Sequence, residues 1–378
     1  MSVAPTVSVS PAAPSETGPL TVMIVDDSAV IRGIFRRTLE AEPTIEVVAS
    51  VSNGQQAVDA LAKKRVDVVV LDIEMPVMDG MTALPKLLEI APGVKVIMAS
   101  TLTEKNAAIS LEALQKGAAD YIPKPTAKYE IHSADNFKRE LVEKIMALGG
   151  KSVRTAKKMP ATPSSVTPRV KKTATVAVAP RSVSNVPPRI IAIGSSTGGP
   201  QALFKVFEGL KGQIDHLPIV IAQHMPKAFT GILAEHLSKV ANARCAEGVD
   251  GEPLEAGRIY IAPGDFHMYI EKSGAGYVIR LNQDPPENFC RPSVEPLFRS
   301  VAKEFGSASL ALMLAGMGHD GLTASETLVE TGATLIAQDE ESSVVWGMPG
   351  AVANAGLCAE ILPIDKIAPC AINLMRRN

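Results

Sequence analysis

The chain holds only four cysteines, Cys245, Cys290, Cys358 and Cys370, all in its C-terminal half. None has CxxC or HxxxC spacing, which argues against a disulfide framework or a structural zinc site and leaves free buried thiols as the reading. Charge of one sign is also scarce: 38 basic against 40 acidic side chains leave a formal net charge of -2. So balanced a surface gives no global attraction to nucleic acid or to an anionic membrane. No apolar run approaches the roughly 18 residues of a membrane span. The first twenty residues are rich in Pro, Ala, Ser and Thr, and no basic residue precedes an apolar run, so a signal peptide is not expected. These absences point to a cytoplasmic protein without direct membrane insertion.

What is present is a globular composition, 46% hydrophobic over 378 residues, enough for two or three separately buried cores. A stretch from Lys151 to Arg189 stands apart, with nine basic residues, no acidic residue, six prolines and no sustained periodicity. It reads as a solvated linker. The expected division is a disordered tail at 1–19, a first domain at 20–148, a basic Pro-rich linker at 149–188 and a second domain at 189–378. In the first domain, short β-rich runs alternate with amphipathic helical stretches five times, from Thr21–Val25 to Asn136–Leu148. Such alternation predicts a parallel sheet with helices on both faces and strand carboxyl ends along one edge.

Polar groups end four of this domain's apolar runs: Asp26, Asp27 and Ser28 after the first, Asp72 after Val66–Leu71, Ser100 after Lys95–Ala99, Lys124 after Tyr121–Ile122. Ligands of open α/β sheets bind at that edge, so Asp26, Asp27 and Asp72 should converge despite their separation. Clustered carboxylates repel unless a cation neutralises them, and hard oxygen ligands suit Mg²⁺. Helix capping could explain any one of these residues, but not all five positions together. The strings VDDS, LDIEMPVMDG, MAST and IPKP, in this order, make Leu20–Leu148 resemble the response-regulator receiver family. The resemblance implies Asp72 as phosphoryl acceptor, Asp26 and Asp27 with the Glu74 main-chain carbonyl as Mg²⁺ ligands, and Ser100 and Lys124 as switch residues facing the phosphoryl group.

A second alternating pattern begins after the linker. Ile190–Ile193 leads into the turn Gly194-Ser195-Ser196-Thr197-Gly198-Gly199-Pro200, which contains G-x-S-x-G centred on Ser196 and is followed by the helical Gln201–Leu210. Glycines permit the sharp turn, and free amides at a helix start can stabilise an oxyanion. The same turn could instead bind phosphate or a dinucleotide. Leu217–Ala222 then delivers His224 where a dinucleotide protein would place an acidic ribose ligand. Leu310–Leu314 runs into Gly316, Gly318, Asp320 and Gly321, so Asp320 can orient His224. His319 is a weaker candidate base, His267 reads as structural, and His216 and His236 as surface or structural histidines.

These turns, with LEAGRIYIAPGDFHM, RPSVEPLFRSVA and SSVVWGMPGAV, make Arg189–Met375 resemble the catalytic domain of the chemotaxis protein-glutamate methylesterases. The order Ser, His, Asp also separates it from the α/β-hydrolase superfamily, whose triads run Ser, Asp, His. The predicted fold class is therefore α/β, a five-unit βα receiver followed by a hydrolase-type domain with a mainly parallel sheet. The resemblance implies Ser196 as nucleophile, His224 as general base and Asp320 as orienting acid, with an acyl-enzyme intermediate and no cofactor for hydrolysis. It also implies oxyanion amides near Ser196, at Thr197, and near Met317. Arg291 is left open between substrate binding and a structural ion pair. Implied partners are methyl-accepting chemotaxis receptors as substrate, at whose clusters the enzyme would act, and a histidine kinase as phosphodonor. Deamidation of receptor glutamines is implied as well, and the unphosphorylated receiver is expected to cover the catalytic edge. The competing class, a receiver fused to a DNA-binding or nucleotide-sensing output, would need a basic recognition helix or a ribose acid, and neither is legible after Arg189.

Overall fold

The computed structural model describes residues 18–125, 131–150 and 181–376. Nearly all of the expected tail and most of the expected linker lie outside those residues. The first unit runs β1 (Leu20–Val25), α1 (Ala29–Glu40), β2 (Ile45–Val51), α2 (Gly54–Leu61), β3 (Val68–Asp72), α3 (Gly80–Ile90), β4 (Lys95–Ser100), α4 (Glu104–Gln115), β5 (Asp120–Pro123) and α5 (Ile131–Leu148). Its five strands pair in parallel in the order β2-β1-β3-β4-β5. All five residues of β3, VVVLD, are buried, as a central strand covered by helices on both faces requires. Ser28, Asn53, Asp79 and Thr103 each accept a hydrogen bond from an amide of the first turn of α1, α2, α3 and α4. Local capping therefore fixes where each of these helices starts.

The second unit comprises β6 (Ile190–Ser195), α6 (Gly199–Leu210), β7 (Ile219–Gln223), α7 (Lys227–Ala241), β8 (Arg244–Glu247), β9 (Arg258–Ile261), a hairpin of β10 (His267–Ser273) and β11 (Gly276–Asn282), and α8 (Val294–Phe305). It continues through β12 (Ser309–Met313), α9 (Leu322–Glu330), β13 (Thr334–Gln338), α10 (Met348–Asn354), β14 (Glu360–Leu362) and α11 (Ile364–Met375). Seven strands form one sheet in the order β14-β13-β12-β6-β7-β9-β8, every pairing parallel. Strand alternation splits its core in two. Ile191, Ile193, Ile219 and Ile221 pack with Leu203 and Phe207 of α6, while Ala192, Val220, Ala311 and Met313 pack with Leu297 and Phe298 of α8. Because β6 lies between β7 and β12, the chain reverses direction of travel across the sheet at β6. The crevice at its carboxyl end is where open α/β sheets bind ligands.

The receiver unit packs on α6 and α7 through α4 and β5. Tyr121 stacks on Phe229 with ring centroids 4.3 Å apart. The Gln201 side-chain amide donates to the Ala118 carbonyl at 2.8 Å. At the centre of this contact, Asp120 pairs with the buried Lys144 ammonium at 3.0 Å and accepts from the Thr197 hydroxyl at 2.8 Å. Burial would lower the Lys144 pKa, but Asp120 and Glu140 raise it above the usual lysine range, so this cation stays charged. The last residues of the expected linker lie against the second unit: Ser184 donates its hydroxyl to the Ser307 carbonyl at 2.8 Å, its hydroxyl oxygen accepts from the Val186 amide at 3.1 Å, and its amide donates to Thr334 Oγ1 at 2.9 Å. No helix among the described residues is long and apolar enough to cross a membrane.

Candidate active site

Ser196 follows β6 in a turn that two glycines make possible. Gly198 adopts φ 78°, and a Cβ on Gly199 would lie 2.0 Å from Gln223 Oε1. Gln223, the last residue of β7, occupies that space. Its Oε1 accepts from the Ser195 hydroxyl at 2.6 Å, and its Nε2 donates to the Ser196 and His224 carbonyls at 3.0 and 3.1 Å. One buried amide thus ties the serine turn to the histidine loop. The Ser196 amide donates to Ala315 O at 3.0 Å, which joins the turn to the segment after β12.

His224 Nε2 lies 2.7 Å from Asp320 Oδ2. Asp320 is buried and accepts three further hydrogen bonds, from the Val294 amide at 2.6 Å, the Ser293 hydroxyl at 2.7 Å and Asn288 Nδ2 at 2.8 Å. Burial raises the Asp320 pKa, but the His224 bond and charge and these donors outweigh it and hold the carboxyl at about 2. The turn that carries Asp320 is fixed from α8: Glu295 accepts from the amides of Gly321, Thr323 and Ala324 at 3.1, 3.1 and 2.7 Å. Those are orphan donors of the α9 N-terminus, which has no side-chain cap of its own. The second ring nitrogen of His224, Nδ1, lies 3.3 Å from Cys290 Sγ. Burial alone would lower the His224 pKa; the Cys290 sulfur and Asp320 reverse this and raise it to about 10. Both ring nitrogens are engaged, and no hydrogen bond joins Ser196 to His224 among the described residues.

At the receiver edge, Asp26, Asp27 and Asp72 converge, with one oxygen from each within 4.8 Å of the others. Lys124 Nζ lies 2.7 Å from Asp26 Oδ2 and 2.6 Å from Asp72 Oδ1, and its backbone amide donates to Ser100 O at 2.7 Å. Burial raises the Asp72 pKa to about 6 despite Lys124. Burial would lower Lys124, but its bonds to Asp26 and Asp72 raise it. Asp72 Oδ2 is buried without a hydrogen-bond partner. A hard divalent cation fits this set of three carboxylates and the orphaned oxygen. The Glu74 side chain points to Lys105, 2.9 Å away at the surface. Ser100 is buried and accepts from Ser110 Oγ at 3.2 Å.

The remaining candidates separate. The Thr197 hydroxyl is bound to the receiver's Asp120, and Met317 packs against the apolar cluster that contains the receiver's Ile122 and Phe137. All the Arg291 guanidinium nitrogens are engaged within the domain, with Asp265 Oδ1 at 2.6 and 3.1 Å and the carbonyls of Gln283 and Asp284 at 3.0 and 3.1 Å. That is the ion-pair alternative. His267 is buried between Pro285 O and the Ser293 amide, and His319 is exposed. Of the expected buried thiols, Cys358 is buried, whereas Cys290 is half-exposed and in contact with His224. Sequence reasoning missed Gln223, Asn288, Cys290, Ser293 and Glu295 as neighbours of the site. Gln223 carried a signal, a polar residue closing an apolar strand; Ser293 and Glu295 lie within RPSVEPLFRSVA and Asn288 and Cys290 just before it, none with a periodic mark.

An acidic pocket at the switch point of one unit, joined to a serine, histidine and aspartate edge on a parallel sheet, defines a receiver coupled to a serine-hydrolase-type domain. The family described as CheB methylesterase matches residues 191–370, and the response regulator receiver domain family matches residues 22–135. A relative from Paramagnetospirillum magneticum, protein-glutamate methylesterase/protein-glutamine glutaminase 1, is 54% identical over 96% of this chain and 98% of its own. One from Azospirillum brasilense with the same activity name is 55% identical over 93% of this chain and 91% of its own. The crystal structure of the Thermotoga maritima CheB methylesterase catalytic domain is 37% identical, covers 50% of this chain and 100% of that one, and has a TM-score of 0.48. The chain belongs to the receiver-containing protein-glutamate methylesterase/protein-glutamine glutaminase family.

Proposed function

We propose that the protein hydrolyses glutamate γ-methyl esters on the cytoplasmic helices of chemotaxis receptors, and deamidates receptor glutamines, under control of phosphorylation at Asp72. The observation that carries this is the convergence of Ser196, His224 and Asp320 from three adjacent strand ends, with His224 and Asp320 at 2.7 Å. His224 takes the Ser196 proton as the hydroxyl oxygen attacks the ester carbonyl carbon, and backbone amides of the glycine-rich turns, at Thr197 and Met317, would stabilise the developing oxyanion. Methanol leaves with the proton from His224. Water, deprotonated by the same imidazole, then attacks the glutamyl acyl-enzyme and restores the serine and a glutamate carboxylate. With a glutamine substrate the same sequence releases ammonia. No cofactor takes part in these steps.

Control follows from the contact on Thr197, the residue after the nucleophile. A receiver bound there obstructs the edge where a receptor helix must lie. Asp72 accepts a phosphoryl group from a chemotaxis histidine kinase, with Ser100 and Lys124 facing it. Mg²⁺ held by Asp26, Asp27, Asp72 and the Glu74 carbonyl would neutralise charge on the incoming phosphoryl oxygens. Phosphorylation adds charge beside the docked face and shifts the equilibrium toward released receiver. The test is methanol release from a methylated receptor fragment by wild type and Ser196→Ala. Wild-type activity that rises with phosphodonor and disappears in Ser196→Ala is expected; an active Ser196→Ala protein rules the mechanism out.

A further inference from the structure

The segment Glu287–Cys290 is a tight hairpin turn closed by reciprocal main-chain hydrogen bonds, from the Glu287 amide to Cys290 O at 3.2 Å and from the Cys290 amide to Glu287 O at 2.8 Å. Its two central residues both have positive φ, Asn288 at 50° and Phe289 at 64°. Two-residue turns of this hand want Asn and Gly; Asn fits the first position, but a phenylalanine in the second is strained. Burial does not compensate, since Phe289 is 76% exposed. Its ring instead lies under the Arg139 guanidinium of α5 in the receiver, 4.0 Å from the ring centre.

Both neighbours of Phe289 touch the catalytic pair. Asn288 donates to Asp320 Oδ1 at 2.8 Å, and Cys290 Sγ sits 3.3 Å from His224 Nδ1. Glu287 is anchored by a two-point bond with Arg299 on α8, at 2.6 and 2.8 Å. Asp320 already occupies Nε2. The nitrogen that must receive the serine proton is therefore Nδ1, which the sulfur holds.

We propose that Cys290 is a positioning residue that parks His224 Nδ1 away from Ser196 while the receiver is docked, and that the Arg139 contact with Phe289 keeps it there. This rests on His224 being the base, as set out above. Departure of the receiver removes the guanidinium that holds the strained tip; the turn relaxes, the sulfur leaves Nδ1, and that nitrogen becomes available to the serine hydroxyl. The device acts on the base itself, separately from the steric obstruction at Thr197.

The experiment is ¹⁵N NMR titration of the histidine imidazoles in the full-length, unphosphorylated protein, with the His224 signal assigned by its loss in His224→Gln. In wild type, Nδ1 should show an engaged nitrogen, and His224 should titrate well above an ordinary histidine. Cys290→Ala should lower that midpoint by about one pH unit or more, a tenfold loss in proton affinity. Arg139→Ala and treatment with beryllofluoride and Mg²⁺ should each move it in the same direction. Arg139→Ala should add little to Cys290→Ala, because both act on one contact. Cys290→Ser, whose hydroxyl stays neutral, should leave the midpoint close to that of Cys290→Ala; circular dichroism checks that each variant is folded. An unchanged His224 midpoint in Cys290→Ala, or an effect of Arg139→Ala that adds in full, overturns the proposal. Methanol release retained by His224→Gln would instead overturn the assignment of His224 as base.

Discussion

At the scale of single residues, the site is a set of buried polar groups whose partners decide their charge. Ser196→Ala, His224→Ala and Asp320→Ala should each cut methanol release at least about a hundredfold, since they remove parts of one relay. His319→Ala, an exposed neighbour, should not. Active-site pH behaviour also has a direction. Asp320 is held at about 2, below its ordinary 3.8, so its stabilising bonds are fully present above about pH 4 and fade as pH falls toward 2. His224 is raised from 6.5 to about 10, so its contribution is fully present below about pH 6.5 and is lost as pH rises through 10. The Tm difference between wild type and Asp320→Asn should therefore be largest between these limits and shrink on both sides; a difference independent of pH from 3 to 10 contradicts the pairing. Because a base must be unprotonated, the unphosphorylated enzyme should also gain activity as pH rises above neutral.

At the scale of elements, the catalytic acid depends on a helix that does not contain it. Glu295 on α8 supplies the acceptors for three amides at the start of α9, which holds the Asp320 turn. Burial raises the Glu295 pKa while those amides lower it. Glu295→Ala should cost about 1–3 kcal/mol in denaturant unfolding, the range for a lost cap and unsatisfied buried donors. It should also lower turnover more than Glu295→Gln, which keeps one acceptor. At the docking contact, Asp120 serves Lys144 and Thr197 together. Asp120→Asn weakens both bonds, and the expected result is a higher basal rate without phosphodonor. A basal rate equal to or below wild type would show that this contact does not restrain the catalytic edge.

At the scale of the whole molecule, the two units share an apolar contact in which Tyr121 meets Phe229, so chemistry at Asp72 and at Ser196 can communicate through a rigid-body equilibrium. Asp72→Asn should keep the basal methanol release of wild type and lose its stimulation by phosphodonor with Mg²⁺, because it removes only the acceptor. Removing residues 1–150 deletes the obstructing unit and leaves Ser196, His224 and Asp320 in place. If obstruction dominates, this truncated chain hydrolyses methylated receptor faster than the unphosphorylated full chain at equal concentration. A slower truncated protein would show that the receiver contributes more to receptor binding or to the catalytic edge than it obstructs.

The alternation of apolar runs with helical stretches by itself determined two parallel α/β units, because a strand buried on both faces needs a continuous apolar run and a polar residue where it ends. For the same reason Asp72, Ser196 and His224 were legible: each terminates or follows such a run, and the glycines around Ser196 and Asp320 mark backbone that must turn sharply. Tertiary structure alone decided which strand ends are neighbours, since the position of β6 between β7 and β12 is a property of sheet order. It alone also placed Cys290 and Asn288 on the catalytic pair, Glu295 on the α9 start, Asp120 on Thr197 and Arg139 on Phe289. These contacts join residues far apart in the chain through loops and an interface, where no repeating period relates position in sequence to position in space.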